Sequence, residues 1–261
     1  MEHKQVIFNY PYKVKDINDL VKLDMHSHTT YSDGHHDVDT AIKVAKEKKI
    51  GLCITDHNRI KGSVKICKSK AVFSIPGIEV TGRDFIDLLL YFYSVKDLEE
   101  FYDICVKGHE VPDHGFQFHR LTWYTSEIIN LAKKFNAFIV IPHPDARKPK
   151  NSYKFFRKRQ EMITHVNAIE GINSLIRRKS NLLAIGWAQA LDKPIVGSSD
   201  AHFYQQIGNA VTCTEHRNIE GFLESIRSKK NIVVGMEVSL WNKLYSSYKI
   251  FKKNWSDWVD V

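Results

Sequence analysis

The sequence predicts an α/β fold on a parallel sheet, closed or open. Two features carry that expectation. Short β-rich runs alternate with helical ones, and 261 residues is a normal length for one α/β barrel, which often runs to about 250. A third feature is chemical: side chains able to bind metal recur at the ends of the strand-like runs.

Taken in order, "KLDMHSH" reads as a strand and "DVDTAIKVAKEKK" as an amphipathic helix. That helix puts Val38, Ala41, Ile42 and Ala45 on one face and closes at Gly51. "LCITDH" is the next strand and "IKGSVKICKS" a helix of weaker pattern. "AVFSIPGIEV" and "FIDLLLYFY" follow as consecutive strands. Residues 98–106 fit a helix, and "KGHEVPDHGFQFHR" reads as a loop or insertion. "EIINLAKKFN" is a helix capped by Thr125 or Ser126, and "AFIVIPHP" a buried strand. The basic stretch "ARKPKNSYKFFRKRQ" leads into a helix ending near His165. "AIEGIN", "NLLAIGWAQALD" and "PIVGSSDAH" continue as strand, helix and strand, and "NIEGFLESIRSKK" with "IVVG" completes the alternation. The aromatic tail "LWNKLYSSYKIFKKNWSDWVDV" reads as a helix packing on the body, the commoner outcome, or as a partner surface.

Hydrophobic residues make up 43% and charged residues 26%, the balance of a soluble globular chain. No apolar run approaches the ~20 residues of a membrane span, and the N-terminus has no signal-peptide core, so no membrane partner is expected. The four cysteines are scattered, and Cys53 lies in an apolar run, which favours a buried reduced thiol and a cytoplasmic location. A net charge of +8 suits acidic partners, phosphorylated substrates or nucleic acid, or simply a basic, soluble surface.

The strand ends carry the chemistry. The first gives His26 and His28, the second Asp56 and His57, the third Glu79 and the fourth Asp87. The fifth gives His143, and the last Asp200 and His202. Residues i and i+2 of a strand share a face, so His26 and His28 can reach one ion, as can Asp200 and His202. Imidazole and carboxylate suit Zn, Mn or Fe. A lone buried histidine is usually a satisfied core residue. Several at strand ends, beside several acids, reverse that balance, because isolated buried charges are costly and metal removes the cost.

The motifs "DMHSHTTYSDG", "ITDH", "GIEV", "PHP" at 142–144 and "GSSDAH" resemble, in order, those of the PHP (polymerase and histidinol phosphatase) family of metal-dependent phosphoesterases. "IGNA" and "IVVG" extend the likeness to about Gly235. The resemblance implies a distorted, TIM-like (β/α)7 barrel over 23–235, with 1–22 and 236–261 as terminal extensions, the latter packing on the domain. It also implies two or three divalent ions. His26, His28, Glu79 and Asp200 would hold one, and His57, His202 and Asp33 a second, with His35 a lesser candidate for the place of Asp33. Glu79 would bridge to a third ion at His143 and Asp87, where family members commonly carry a histidine in place of Asp87. Asp56 would orient His57.

The implied activity is hydrolysis of a phosphomonoester or nucleotide by metal-activated hydroxide attack on phosphorus. Metal lowers the pKa of bound water from ~15.7 to ~7. Arg147 is the foremost phosphate clamp, by its planar fork, with Arg177, Arg178 and Arg83 behind it. Asn173 and Asn181 would support a strand end. His3, His109, His114, His119, His165 and His216 read as ordinary. A nuclease acting on oligonucleotide ends is the alternative, with the run Arg147–Arg159 and its aromatics tracking single-stranded nucleic acid. That run also reads as an amphipathic helix with a solvated basic face. A non-catalytic metal-binding module is the third possibility.

Overall fold

The computed structural model describes residues 5–111, 119–147 and 149–238. Its strands are β1 (Val6–Phe8), β2 (Val21–Asp24), β3 (Gly51–Leu52), β4 (Gly77–Thr81), β5 (Asp87–Tyr91), β6 (Phe138–Ile141), β7 (Ala168–Asn173), β8 (Ile195–Ser198), β9 (Ala210–Thr214) and β10 (Ile232–Gly235). The α-helices are α1 (Val38–Glu47), α2 (Lys61–Ser69), α3 (Val95–Phe101), α4 (Thr125–Lys134), α5 (Ser152–Phe156), α6 (Gln160–Ile163), α7 (Arg178–Ala190) and α8 (Ile219–Arg227).

The fold is mixed α/β, but its strands hydrogen-bond as two five-stranded sheets, ordered β1-β10-β9-β2-β3 and β4-β5-β6-β7-β8, and not as one closed barrel. The expected parallel pairing holds for β2 with β3 and along β6-β7-β8. It fails at β4 and β5, which pair antiparallel from Gly77–Tyr91 to Thr81–Asp87. The physical reason is the connection: Gly82 N donates to Ile86 O (2.8 Å) and Phe85 N to Gly82 O (2.9 Å), a tight turn far too short for a crossover. Two strands went unread in the sequence. Val6–Phe8 pairs parallel with β10, and Ala210–Thr214 runs antiparallel between β2 and β10.

Isolated parallel bridges, Ser27 with Ala201 and His57 with Glu79, join the two sheets beyond the ends of β2, β3 and β8. Tyr91 Oη adds a hydrogen bond across the same gap, donating to Met25 O at 2.6 Å. Strand alternation then sorts the side chains. Ile78, Val80, Leu88, Leu90, Ile139 and Ile141 pack in one cluster with α3 and α4 residues such as Leu98, Ile128 and Ile129. Leu23, Leu89, Tyr91, Phe138, Val140, Ala168 and Val196 fill another. Asp87 shares the face of Leu89 and Tyr91, and Glu170 that of Ala168, so acids sit directly above an apolar floor. Each fully buried large side chain there contributes roughly 1.5–3 kcal/mol.

Smaller corrections concern helix ends. The cap of α4 is Tyr124, whose amide donates to Glu127 Oε2 at 2.7 Å, while Thr125 Oγ1 donates to Asp84 Oδ1 at 2.6 Å. The basic stretch forms two short helices, α5 and α6, the second ending at Ile163. Cys53, Cys105 and Cys213 are buried free thiols and Cys67 a half-buried one. Among the described residues no helix is long and apolar enough to cross a membrane. The tail beyond Val238 and the loop at 112–118 lie outside the described residues.

Candidate metal centre

His26 and His28 follow β2 and are locked in place by the second sheet: His28 N donates to Ala201 O (2.9 Å) and Asp200 N to His26 O (2.8 Å). Their Nε2 atoms lie 3.0 Å apart. Glu79 Oε2 lies 3.2 Å from His26 Nε2 and 3.3 Å from His28 Nε2, and Asp200 Oδ1 is 3.4 and 3.2 Å from the same atoms. Asp33 Oδ2 stands 3.2 Å from His202 Nε2 and 3.8 Å from His57 Nε2, with Oδ1 3.5 Å from His28 Nδ1. His57 Nδ1 is 3.3 Å from Glu79 Oε2, and His143 Nε2 is 3.3 Å from Glu79 Oε1. The eight residues expected to react therefore converge around one point, though they span residues 26 to 202.

Donor atoms lying within 4.8 Å of one another group as His26, His28 and Glu79; His28, Asp33 and His202; and His57, Glu79 and Asp87. The second group thus takes in His28, and the third takes His57 where the sequence pointed to His143. The donor set fits divalent ions: imidazole and carboxylate only, with His57 Nδ1 and His143 Nδ1 buried and without hydrogen-bond partners.

Electrostatics agree. Burial works against charge on His26 and His28, but the neighbouring carboxylates outweigh it. Asp200, Glu79 and Glu170 do so at His26; Asp33, Asp200 and Glu79 push His28 up to about 10. Burial would raise Glu79, Asp200 and Asp33, yet the facing imidazoles hold all three well below the usual carboxylate range. At His57 burial wins and holds the imidazole down to about 4. Two of the ligand candidates also carry backbone strain. His143 (φ +29°) and Asp200 (φ +55°) take positive φ, a conformation that costs a non-glycine residue about 1–3 kcal/mol.

Supporting residues were the least legible. Glu170, fully buried in β7, faces His26 Nδ1 at 3.2 Å and accepts from His143 N (2.7 Å), Asn173 Nδ2 (2.8 Å) and Ser198 Oγ. It fixes His26 so that Nε2 faces the cluster. Asp24 accepts from Ser199 N (2.9 Å), Ser199 Oγ (2.5 Å) and Gly208 N (2.7 Å), tying β2 to the loop that carries Asp200. Asn173 Nδ2 also donates to Asp200 Oδ2 at 3.0 Å, and Asn181 braces Asn173. Asp56 does not orient His57. It accepts from Thr29 N (2.6 Å), Thr29 Oγ1 (2.8 Å) and Ser32 Oγ (2.8 Å), holding the turn that presents Asp33.

In that turn Gly34 has a steric role, because a Cβ there would lie 2.4 Å from His28 O and 2.6 Å from Thr29 N. Gly34→Ala must shift backbone, so it is expected to cost at least about 1–3 kcal/mol in denaturant melts and to weaken metal retention. An unchanged melt would show that the turn yields freely.

His35 stacks on Phe203 at 4.5 Å. His119, read as ordinary, stacks on His57 at 5.6 Å, whereas His3 and His114 lie outside the described residues. His36, buried with both ring nitrogens unpartnered, is pushed down to about 4 by burial. Asp87 Oδ1 accepts from Thr81 Oγ1 (2.6 Å), while Oδ2 lies 3.8 Å from His143 Nε2 and 3.0 Å from Lys150 Nζ. Arg147 and Arg177 line one cavity of about 710 Å³ with Asp145 and Ser180. Arg178, in the same wall, is already committed: it pairs with Glu237 at 2.6 and 2.7 Å. Phe156 is buried and Tyr153 and Phe155 pack on the core, with Arg157 and Arg159 over their rings, so these aromatics are occupied in packing.

The PHP domain family matches residues 24–164, and the PHP-associated family residues 178–231. An uncharacterized protein of Methanocaldococcus jannaschii is 27% identical over 254 residues, covering 88% of this chain and 93% of that one. Endonuclease Q from Pyrococcus furiosus superposes with a TM-score of 0.65 at 17% identity, covering 82% of this chain and 57% of its own. A two-domain Bacteroides vulgatus protein containing a predicted PHP-like metal-dependent phosphoesterase gives a TM-score of 0.59 at 18% identity, covering 86% and 68%. At such identities the likeness shows the fold. The chain spans little more than half of the endonuclease Q chain.

Proposed function

The chain belongs to the PHP domain family, and from that premise we propose that it hydrolyses a phosphomonoester or nucleotide at the histidine–carboxylate centre. One observation carries the proposal: His26, His28, His57, His143 and His202 meet Glu79, Asp33 and Asp200 at distances of 3.2–3.8 Å. His26, His28, Glu79 and Asp200 would hold one divalent ion, and Asp33, His57 and His202 a second, with Mn, Zn or Fe suited to these donors. Bound there, such ions supply Lewis acidity toward phosphoryl oxygens and lower the pKa of coordinated water.

The chain's own groups do the rest. Glu170 and Asp24 keep the ligand strands in register. Arg147 and Arg177, which form no ion pair with another described residue, offer two guanidinium forks to a substrate phosphate in the cavity they line. Asp145 in that cavity lies two residues after His143, which supports a substrate spanning from cavity to centre. The finer architecture we assign to 23–235 is the distorted seven-stranded barrel. The two isolated bridges support it, since they link β2 to β8 and β3 to β4 in a ring. Four free cysteines, three of them buried, favour a reducing, cytoplasmic setting.

The nuclease alternative draws on the likeness to endonuclease Q, whose complex with a 27-mer duplex bearing an abasic lesion superposes with a TM-score of 0.66. A single panel separates the possibilities: mononucleotides, sugar phosphates and a 5′-phosphorylated oligonucleotide, assayed with Mn²⁺ and with Zn²⁺. Turnover of the small esters is expected, falling by about 10²–10³-fold in His26→Ala. Mononucleotide release from the oligomer would move the assignment to the nuclease. Bound metal with no turnover of any substrate would leave a non-catalytic module.

A further inference from the structure

The chain after His143 folds back on itself. Ala146 N donates to His143 O (2.9 Å), Lys150 N to Arg147 O (3.1 Å), and Tyr153 N to Pro144 O (2.9 Å). Asn151 Nδ2 clamps the loop by donating to Asp145 Oδ1 (3.0 Å) and Ala146 O (2.9 Å), and Asn151 Oδ1 caps α5 at Lys154 N. This return sends the Lys150 side chain inward, three-quarters buried, to place Nζ 3.0 Å from Asp87 Oδ2. Asp87 is itself almost fully buried, and its other oxygen is taken by Thr81.

Asp87 is also the residue on which a third ion depends, because its donor atom gathers with those of His57 and Glu79. A divalent ion must approach a carboxylate oxygen to about 2.0–2.2 Å. An ammonium beside that same carboxylate would then face it as a like charge in a buried setting, where such repulsion is weakly screened.

We propose that the Lys150 ammonium takes the place of a third metal ion, so that the centre is dinuclear and its third positive charge is carried by the protein. The inference rests on reading the cluster as a metal centre. It accounts for the burial of Lys150, since Asp87 gives its ammonium a charged partner in the interior. Lysine holds its charge without recruiting an ion, so the third positive charge does not depend on metal supply.

The test is metal stoichiometry, independent of activity. The full chain, stripped by chelation and equilibrated by dialysis with Mn²⁺, is expected to bind two ions. Lys150→Met, which keeps the stem and removes the charge, is expected to bind three, and Lys150→Arg two. Asp87→Asn is expected to stay at two; circular dichroism melts confirm that each variant folds. Three ions in the unmodified chain would overturn the assignment, as would two in Lys150→Met or a loss to one in Asp87→Asn. Fewer than two in the unmodified chain would instead remove the dinuclear centre itself, and with it the proposed chemistry.

Discussion

Glu79→Gln is expected to strip the centre of metal and lower turnover by about 10³-fold or more. Four imidazoles converge on this carboxylate. His26, His28 and His57 lie 3.2–3.3 Å from Oε2, and His143 lies 3.3 Å from Oε1. Both oxygens are engaged and the side chain is 1% exposed, so no water can substitute for the lost charge. The amide keeps the shape and removes the anion, replacing a charged candidate ligand by a dipole with a donor end facing imidazoles. Loss of several kcal/mol of metal-derived stabilisation corresponds to three or more factors of ten. The checks are metal content and kcat on the preferred ester from the panel. Full metal retention with undiminished kcat would refute the assignment of Glu79 as a ligand.

Glu170→Ala is the second large effect, and it reaches stability before activity. Removing this buried carboxylate leaves His26 Nδ1, His143 N, Asn173 Nδ2 and Ser198 Oγ without their acceptor in a dry interior. Stranded buried donors cost about 1–3 kcal/mol each, with partial relaxation, so the net loss should be on the order of 3–5 kcal/mol. Glu170→Gln keeps the shape and one acceptor oxygen, enough for His143 N and Asn173 Nδ2, and separates the two roles. It should fold, and should lose about 10–100-fold in metal affinity through the freed His26 ring. Urea melts read the first variant and metal titration the second. Wild-type affinity in Glu170→Gln would make Glu170 a purely structural acid.

Residues with a local signature were legible in the sequence. His26 and His28 sit two apart just past a strand end, a spacing that aims both one way. Asp200 and His202 share the spacing, but the positive φ of Asp200 breaks the alternation there. Glu170 lacked such a signature. An acid inside "AIEGIN" sits between Ile169 and Gly171, and three of its four partners come from three other segments. Lys150 was obscured by its company, because a lysine in a basic run looks solvated until the loop is seen to turn inward. Pairing direction was read from rhythm, and rhythm does not distinguish the tight turn at Gly82–Ile86 from a crossover. Asp56 beside His57 invited a contact that the fold does not make, because Thr29 and Ser32, distant in sequence, take its oxygens.

The seam between the sheets has a consequence for how the molecule is held together. His26, His28, Asp33 and His57 follow strands of one sheet, while Glu79, His143, Asp200 and His202 belong to the other. Between these ends the described backbone offers single bridges and no continuous ladder. Any ion shared across the seam is therefore a clasp, acting on the two halves much as a cross-link acts on a chain. Ligands that bind only the native state stabilise it by mass action. Metal supply would then set how firmly the halves stay closed as well as how fast the enzyme turns over, and starvation for metal would be felt as fragility.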